Sequence, residues 1–286
     1  GKNVRVREVD EFDFSKVQLA FFAAGPAVTL SFAPRATAAG CSLIDLSGAL
    51  PAEQAPQVVP EANAHVLEGM QKPFQVGSPS PSATNLAVVL APLRGLLDIQ
   101  RVSVTANLAV SALGREAVSE LARQTAELLN VRPLEPQFFD RQMAFNLLAQ
   151  VGKPDAQGHT DLEKRLIHEL RAVLETPLLK ISATCVQAPV FFGDSLTVSL
   201  QLGAPVDLDA VNRALEAAPG IERVDEGDYP TAVGDAVGQD VVYVGRVRTG
   251  VDDPAELNLW LTSDNVRKGA ALNAVQLAQL LIKGLA

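Results

Sequence analysis

Apolar and polar positions alternate at "NVRVREV" and then give way to an unbroken apolar run, "VQLAFFAAG", closed by Gly25. The alternation predicts a strand with one wet face, and the run predicts a strand covered on both faces. "PAVTLSFAPRATAAG" reads as a helix ending at Gly40, and "CSLIDLSGAL" as a second buried strand. Strand, helix and strand joined by short turns form a parallel α/β unit, in which ligands gather at the carboxyl ends of the strands. Those ends are Ala23 to Gly25 and Asp45 to Gly48.

The stretch "GSPSPSATNL", Gly77 to Leu86, is placed like a loop that delivers a reactive side chain, yet it holds no cysteine, histidine or acid. A helix is predicted after it, from about Asn85 to Leu97. Beyond that point the pattern changes. "RVSVTANLAVS" reads as a strand and "GREAVSELARQTAELLN" as an amphipathic helix ended by Asn130. "ISATCVQAPVFFGDSLTVSLQL" reads as a long strand pair, "AVNRALEAAPG" as a short helix stopped by Gly220, and "VVYVGRVRTG" and "AELNLWLTSD" as strands. The last element, "NVRKGAALNAVQLAQLLIKGLA", is a helix with a strong apolar stripe. The expected fold is α/β plus α+β. Residues 1–84 form a Rossmann-like nucleotide-binding remnant, 85–264 an α+β domain, and 265–286 a helix returning to the first domain. No internal repeat is visible, which removes solenoids and propellers.

Composition narrows the function. The 286 residues carry a net charge of −9 with no Lys/Arg run longer than two, so a phosphate-backbone track is missing and nucleic acid is not expected as a partner. No apolar run approaches the roughly 18 residues that span a bilayer, and the opening residues lack the apolar stretch of a signal peptide. A cytoplasmic protein without membrane association is expected. Cys41 and Cys185 are too few for a disulfide framework or a structural zinc site and read as buried free thiols.

A dinucleotide-binding half opens with a strand, a glycine-rich turn and a helix, because the helix's first N–H groups must reach the pyrophosphate. Here the first glycine after Gly1 is Gly25. The first βαβ unit is therefore absent, a longer native protein is expected, and the remaining sheet should show an edge that needs cover.

Several blocks carry a family likeness. "LIDLSGALP…QVVPEANAHVL" resembles the "VIDNSSAFR…VVPEVN" block of aspartate-semialdehyde dehydrogenases, and "SALGREAVSELARQT" resembles their "SGAGKEA" helix start. "FFDRQMAFNLL", "ISATCVQAPVFFGDS", "YVGRVR" and "LWLTSDNVRKGAALNAVQLAQLL" resemble "QIAFN", "SATCVRVPVxxGHS", "FVGRIR" and "SDNLRKGAALNAVQIAE". The blocks fall in the same order along the chain, and the resemblance is strongest to the Usg-type paralogues, which lack the catalytic cysteine. It implies an NADP domain, a dimerising catalytic domain and a homodimer. It also implies a reaction in which a cysteine attacks an aldehyde, hydride passes to NADP and phosphate resolves the thioester.

Carried over residue by residue, that chemistry is missing. The cysteine of "NPNCST" falls at Pro81, and a shift by one residue brings only Ser80 or Ser82. A serine hydroxyl without a base stays protonated, and proline has no nucleophile. The histidine of "GHS" becomes Asp194, expected to be a solvated loop aspartate and a poor proton acceptor. The orienting glutamine becomes Leu108, the substrate-binding arginine becomes Gln187, and the phosphate-binding arginine becomes Pro51. In "TDLEKR" a glutamate becomes Leu162, while the lysine becomes Arg165, which alone keeps its charge and is expected on a surface helix face. Ala24, Gly25, Ser47, Ser111 and Asn265 match positions lining the cofactor groove. Without the glycine-rich turn they form half of an NADP site.

His65, His159 and His168 are too scattered for a metal site, and a Ser-His-Asp triad has no local support. The reading is a homologue that retains the family fold and dimer but not the chemistry, as a structural or interaction protein pairing with itself or with an active family dehydrogenase. The alternative is an active NADP-dependent dehydrogenase or related reductase with a displaced nucleophile. A third reading is a sensor that holds a dicarboxylate or nucleotide in the vacated pocket.

Overall fold

The structure, a computed structural model, describes residues 6–225 and 227–283. Its first part is a parallel three-stranded sheet, order β1-β2-β3, built from Leu19–Phe22, Ser42–Asp45 and Gln75–Gly77. Helix α1 (Pro26–Ala38) links β1 to β2, and the single-turn α2 (Pro60–Asn63) lies before β3. Pro26 sits in the first turn of α1, where its missing N–H is not needed, and Gly40 at φ 80° turns the chain out of the helix.

The second part is a six-stranded mixed sheet, order β5-β4-β6-β9-β8-β7. Helix α3 (Pro81–Leu90) enters it from β3, followed by β4 (Ile99–Leu108), α4 (Arg115–Leu129), α5 (Asp161–Val173) and β5 (Lys180–Gln187). Then come β6 (Asp194–Leu202), α6 (Leu208–Ala217), β7 (Ile221–Arg223), β8 (Val242–Thr249), β9 (Glu256–Ser263) and α7 (Asn273–Lys283). One face of the sheet is apolar. Val102, Val104 and Ala106 on β4, Leu196, Val198 and Leu200 on β6, and Leu257, Leu259 and Leu261 on β9 are buried in one cluster with side chains of α3, α5 and α6. The opposite face carries Ser103, Thr105, Thr197, Ser199 and Asn258, half-buried or exposed. This alternation is the period-two pattern of strands with one covered face.

Several expectations change. "NVRVREV" lies partly outside the described residues, and Val6 to Glu8 form no strand. β1 is not covered on both faces, since Phe21 is 49% exposed, and among the described residues it pairs only with β2. β2, between two neighbours, is the fully buried strand. α3 begins at Pro81 rather than Asn85, because proline's fixed φ suits the first helical position, and it ends at Leu90 in a tighter turn containing Pro92. β5 and β6 are not partners, since β4 lies between them, parallel to β5 and antiparallel to β6. The final helix is two pieces, a wide π-type turn over Arg267–Leu272 and then α7. β3 and β7, three residues each, are too short for periodicity to reveal.

The chain's end returns to the first sheet. Ala274, Leu277 and Leu281 of α7 pack with Ile44, Val58, Phe74 and Val76. Lys268, fully buried, donates to Glu61 Oε1 at 2.5 Å and Gln276 Oε1 at 3.0 Å. A buried ammonium is tolerated only with such partners. Lys268→Ala should therefore destabilise the fold by about 3–5 kcal/mol in urea titration, and the paired change Lys268→Met with Glu61→Leu should recover most of the loss.

Candidate functional site

Strand register assembles the site. Gln187 pairs with Leu108, and Asp194 pairs with Ser263. One step beyond the Asn107–Ser195 pair, Asp194 stands beside Leu108, and the Ala109 N–H donates to Asp194 Oδ1 at 2.8 Å. Gln187, Leu108, Asp194 and Ser263 thus form a row across β5, β4, β6 and β9 on the core face of the sheet. Asn85 of α3 donates from Nδ2 to Ser263 Oγ, which sets the helix's first turns over the row. Pro81 opens that helix, and the backbone of Gly269 approaches its ring so closely that an added Cβ would meet Pro81 Cβ at 2.7 Å.

The polar groups here are committed to the backbone. Gln187 Nε2 donates to Leu108 O at 2.7 Å. Glu169, 5% exposed, accepts from Ser80 N at 2.7 Å, from Ser80 Oγ at 2.6 Å and from Arg165 Nε at 2.6 Å. Arg165 also donates to Ser47 O at 2.7 Å and Leu46 O at 3.1 Å, and it lies across Gly48, where a Cβ would meet Arg165 Cζ at 2.5 Å. Arg165 is therefore not the surface side chain expected: it is half-buried and ties α5 to the turn after β2. Gly48, at φ 70°, is the residue type this approach requires.

Asp194 overturns a second expectation. It is not solvated but 1% exposed, and burial, with the neighbouring Asp264 charge adding a smaller push, raises its carboxyl to about 7 against the opposing Ala109 hydrogen bond. Cys185 lies on the same face two residues before Gln187, within the apolar cluster. Burial, with the Glu163 and Asp194 charges, pushes its thiol up to about 12, so it stays protonated near neutral pH. Cys41 is buried in a separate cluster with Phe14, Phe22 and Leu43.

The positions expected around a cofactor fall into two groups. Gly25 opens α1 at φ 96° with nothing within 4 Å of its absent Cβ, next to Ala24 at the end of β1. Nearby, Ser47 Oγ donates to Asp45 Oδ1 and lies 2.9 Å from Thr29 Oγ1. In the other group Asn265 Nδ2 donates to Ser111 Oγ at 3.0 Å, and Asn265 Oδ1 accepts from Gly193 N. An open cleft of ≈ 740 Å³ lies between Ser47, Pro51, Leu162, Arg165 and His168. His65 pairs with Glu175 at 3.1 Å and His159 is exposed. Among the described residues no cluster of three or more His, Cys, Asp or Glu could hold a metal ion, and no helix is long and apolar enough to cross a membrane.

Two family models match the chain: the semialdehyde dehydrogenase dimerisation domain over residues 90–268, and the semialdehyde dehydrogenase NAD binding domain over residues 1–70. The chain belongs to the semialdehyde dehydrogenase family. It is 62% identical over 283 residues to a USG-1 protein homolog from Azotobacter vinelandii, covering 99% of this chain and 84% of that protein. It is 39% identical over 284 residues to aspartate-semialdehyde dehydrogenase 2 of Vibrio cholerae, covering 99% and 84%. A solved structure of a probable aspartate-semialdehyde dehydrogenase from Pseudomonas aeruginosa superposes with a TM-score of 0.96 at 60% identity, covering 99% of this chain and 85% of that one.

Leu108, Gln187 and Asp194 of the row are the positions that the sequence resemblance sets against working side chains of the semialdehyde dehydrogenase family. Glu169 and Asn85 went unread in the sequence. The Arg165–Glu169 spacing of four on a helix was a legible signal for the first; nothing local signalled the second.

An acid whose carboxyl titrates higher in the folded than in the unfolded chain stabilises at low pH and loses that contribution as pH rises from about 4 through about 7. The loss amounts to up to about 4 kcal/mol for a shift from 3.8 to about 7. Asp194→Asn, which keeps an acceptor for the Ala109 N–H, should flatten this fall. Melting temperatures at pH 5 and pH 8 check it: an unchanged difference between wild type and variant at the two values would contradict the assignment.

Proposed function

We propose that this chain is a non-catalytic member of the semialdehyde dehydrogenase family that retains the fold and a homodimer without the dehydrogenase reaction. The observation that carries this reading is Pro81 at the N-terminus of α3, where the resemblance calls for a nucleophilic thiol. Its ring has no group that could attack a carbonyl, and it is packed against Gly269. Ser80 has a carboxylate within hydrogen-bond reach, Glu169 Oε2 at 2.6 Å from its hydroxyl, but Glu169 is also paired with Arg165, which lowers its basicity, and Ser80 is 4% exposed.

The base argument is different from the one the sequence suggested. A carboxyl near 7 is in the range of a working general base, so Asp194 alone does not speak against catalysis, and it favours the second reading of a reductase with altered chemistry. The inactive reading rests on the nucleophile, on Gln187 offering an amide where a charged pair with a carboxylate would need a guanidinium, and on Leu108, which makes no side-chain hydrogen bond. Such groups act together, so replacing one does not restore the set.

The dinucleotide fits these residues only in part. Gly25 leaves open space at the start of α1, but the Ser47 hydroxyl is taken by Asp45 and Thr29. If bound, the cofactor would supply hydride chemistry, and no residue in the row is placed to start it.

The open Ser/Thr-rich face of the six-stranded sheet is the surface we assign to the homodimer, supported by the match to a dimerisation domain. Thr197 sits exposed on a central strand of that face, so Thr197→Arg should leave the fold intact and halve the mass seen by sedimentation equilibrium. An unchanged mass places the interface elsewhere.

NADPH formation from aspartate semialdehyde and phosphate tests the catalytic reading. Wild type and Pro81→Cys should both stay at background, and wild-type turnover above roughly 1 per second, within the ordinary enzyme range, would end it.

A further inference from the structure

The "YVGRVR" block carries two arginines that the row beneath α3 does not use. On β8, Gly245 pairs with Trp260 and Arg248 with Asn258, so three steps on β8 run against two on β9 and one residue is extra. Such a bulge bends its strand and re-aims the side chains. Here it holds Arg246 at φ 52°, a left-handed conformation that glycine adopts freely and that strains a residue with a side chain. Arg248 Nη1 donates to Arg246 O at 2.8 Å, which turns the second guanidinium back to the bulge.

The bulge opens on a cavity of ≈ 460 Å³, whose lining includes Arg246, Arg248, Arg223, Asn212, Asp228 and Tyr229. That volume lies in the range of small-ligand sites. One wall is fixed to the sheet. Trp260 Nε1 donates to Pro230 O at 2.8 Å, and Pro230 lies so close over Gly245 that an added Cβ would meet Pro230 Cδ at 2.5 Å.

The charges of the lining are unequally satisfied. Arg223 is taken by Glu216 at 2.5 Å and by Asp225 at 3.2 Å, which also answers Asp225. Asp228 Oδ1 accepts the Tyr229 N–H at 2.8 Å. Among the described residues Arg246 and Arg248 have no carboxylate partner, and the Asn212 amide makes no hydrogen bond. Two guanidiniums around one cavity repel each other unless an anion lies between them, and their forked N–H groups match the oxygens of a phosphate.

We propose that the cavity at the β8 bulge binds a phosphate group, free or carried by a small molecule, between Arg246 and Arg248. The Asn212 amide lies in the same lining as a further donor, and Gly245 serves the site by letting Pro230 close its wall. The cavity is distinct from the row beneath α3 and from the cleft beside Arg165.

The test is titration calorimetry on the full chain at pH 8 and constant ionic strength, with inorganic phosphate, sulfate and acetate as probes. Phosphate and sulfate should bind one per chain, and acetate at least tenfold more weakly, because a single charge answers only one guanidinium. Arg248→Gln should weaken phosphate at least tenfold. Arg246→Asn should do the same without lowering the melting temperature, since asparagine accepts the left-handed conformation. Asp228→Asn should tighten binding by removing an acid from the lining. Arg132→Gln, at an exposed arginine after α4, should change nothing. Glycerol 3-phosphate against inorganic phosphate separates the two sources of the group: whichever binds more tightly is the form the cavity takes. No heat with either dianion, heat that survives both Arg246→Asn and Arg248→Gln, as phosphate held beside Arg165 would give, or an equal loss in Arg132→Gln would each overturn the proposal. None of these measurements reads turnover, so they stand apart from the non-catalytic reading.

Discussion

The ends of β strands and the first turn of a helix leave backbone N–H and C=O groups without partners, and at the junction of two sheets those groups are buried. Something must bond them. In this chain the residues at the junction do so with their side chains. Glu169 takes the Ser80 N–H at the start of α3, Arg165 covers Leu46 O and Ser47 O after β2, and Gln187 holds Leu108 O at the end of β4. Asp194 takes the Ala109 N–H and Asn265 takes the Gly193 N–H. The placing of the two sheets and of the α3 N-terminus depends on this exchange.

That constraint separates the shape of the junction from any chemistry carried out there. A side chain bonded to the backbone is needed for folding whether or not a substrate ever arrives. Gln187 illustrates the point: its amide reaches the same carbonyl that closes the β4 end, so a polar residue there is useful without any charge. Pro81 is similar, since its fixed φ and missing N–H suit the first position of α3. The polar groups of the junction have been turned inward, toward the protein's own backbone.

Much of the fold was legible in the pattern of the chain. The apolar stripe of α4, the alternation in β4, β6 and β9, and the terminating glycines at Gly40 and Gly220 all mark real elements, because each reflects local burial or a local φ requirement. What could not be read was whatever depends on a distant partner. "VQLAFFAAG" is as apolar as a central strand, but its pattern does not say which strands flank it; among the described residues β1 pairs with β2. The same limit hid the separation of β5 from β6 by β4. At the site, the residue types at 81, 108, 187 and 194 could be named from sequence, but their environment could not.

Asp194 shows how far environment can reverse an argument from residue type. An aspartate in water titrates near 4 and is a weak base. The same aspartate in a row with Leu108, below α3 and near Asp264, gains a carboxyl near 7 because the charged form has lost its water and has one N–H in return. The second oxygen, Oδ2, has no partner, so the group holds its proton longer than an exposed carboxylate would. Cys185 lies on the same face of the sheet, and the Asp194 charge is one of the causes, after burial and Glu163, that keep that thiol protonated near neutral pH. The negative charge of Asp194 appears as pH passes neutrality, on the core face of the sheet rather than in water.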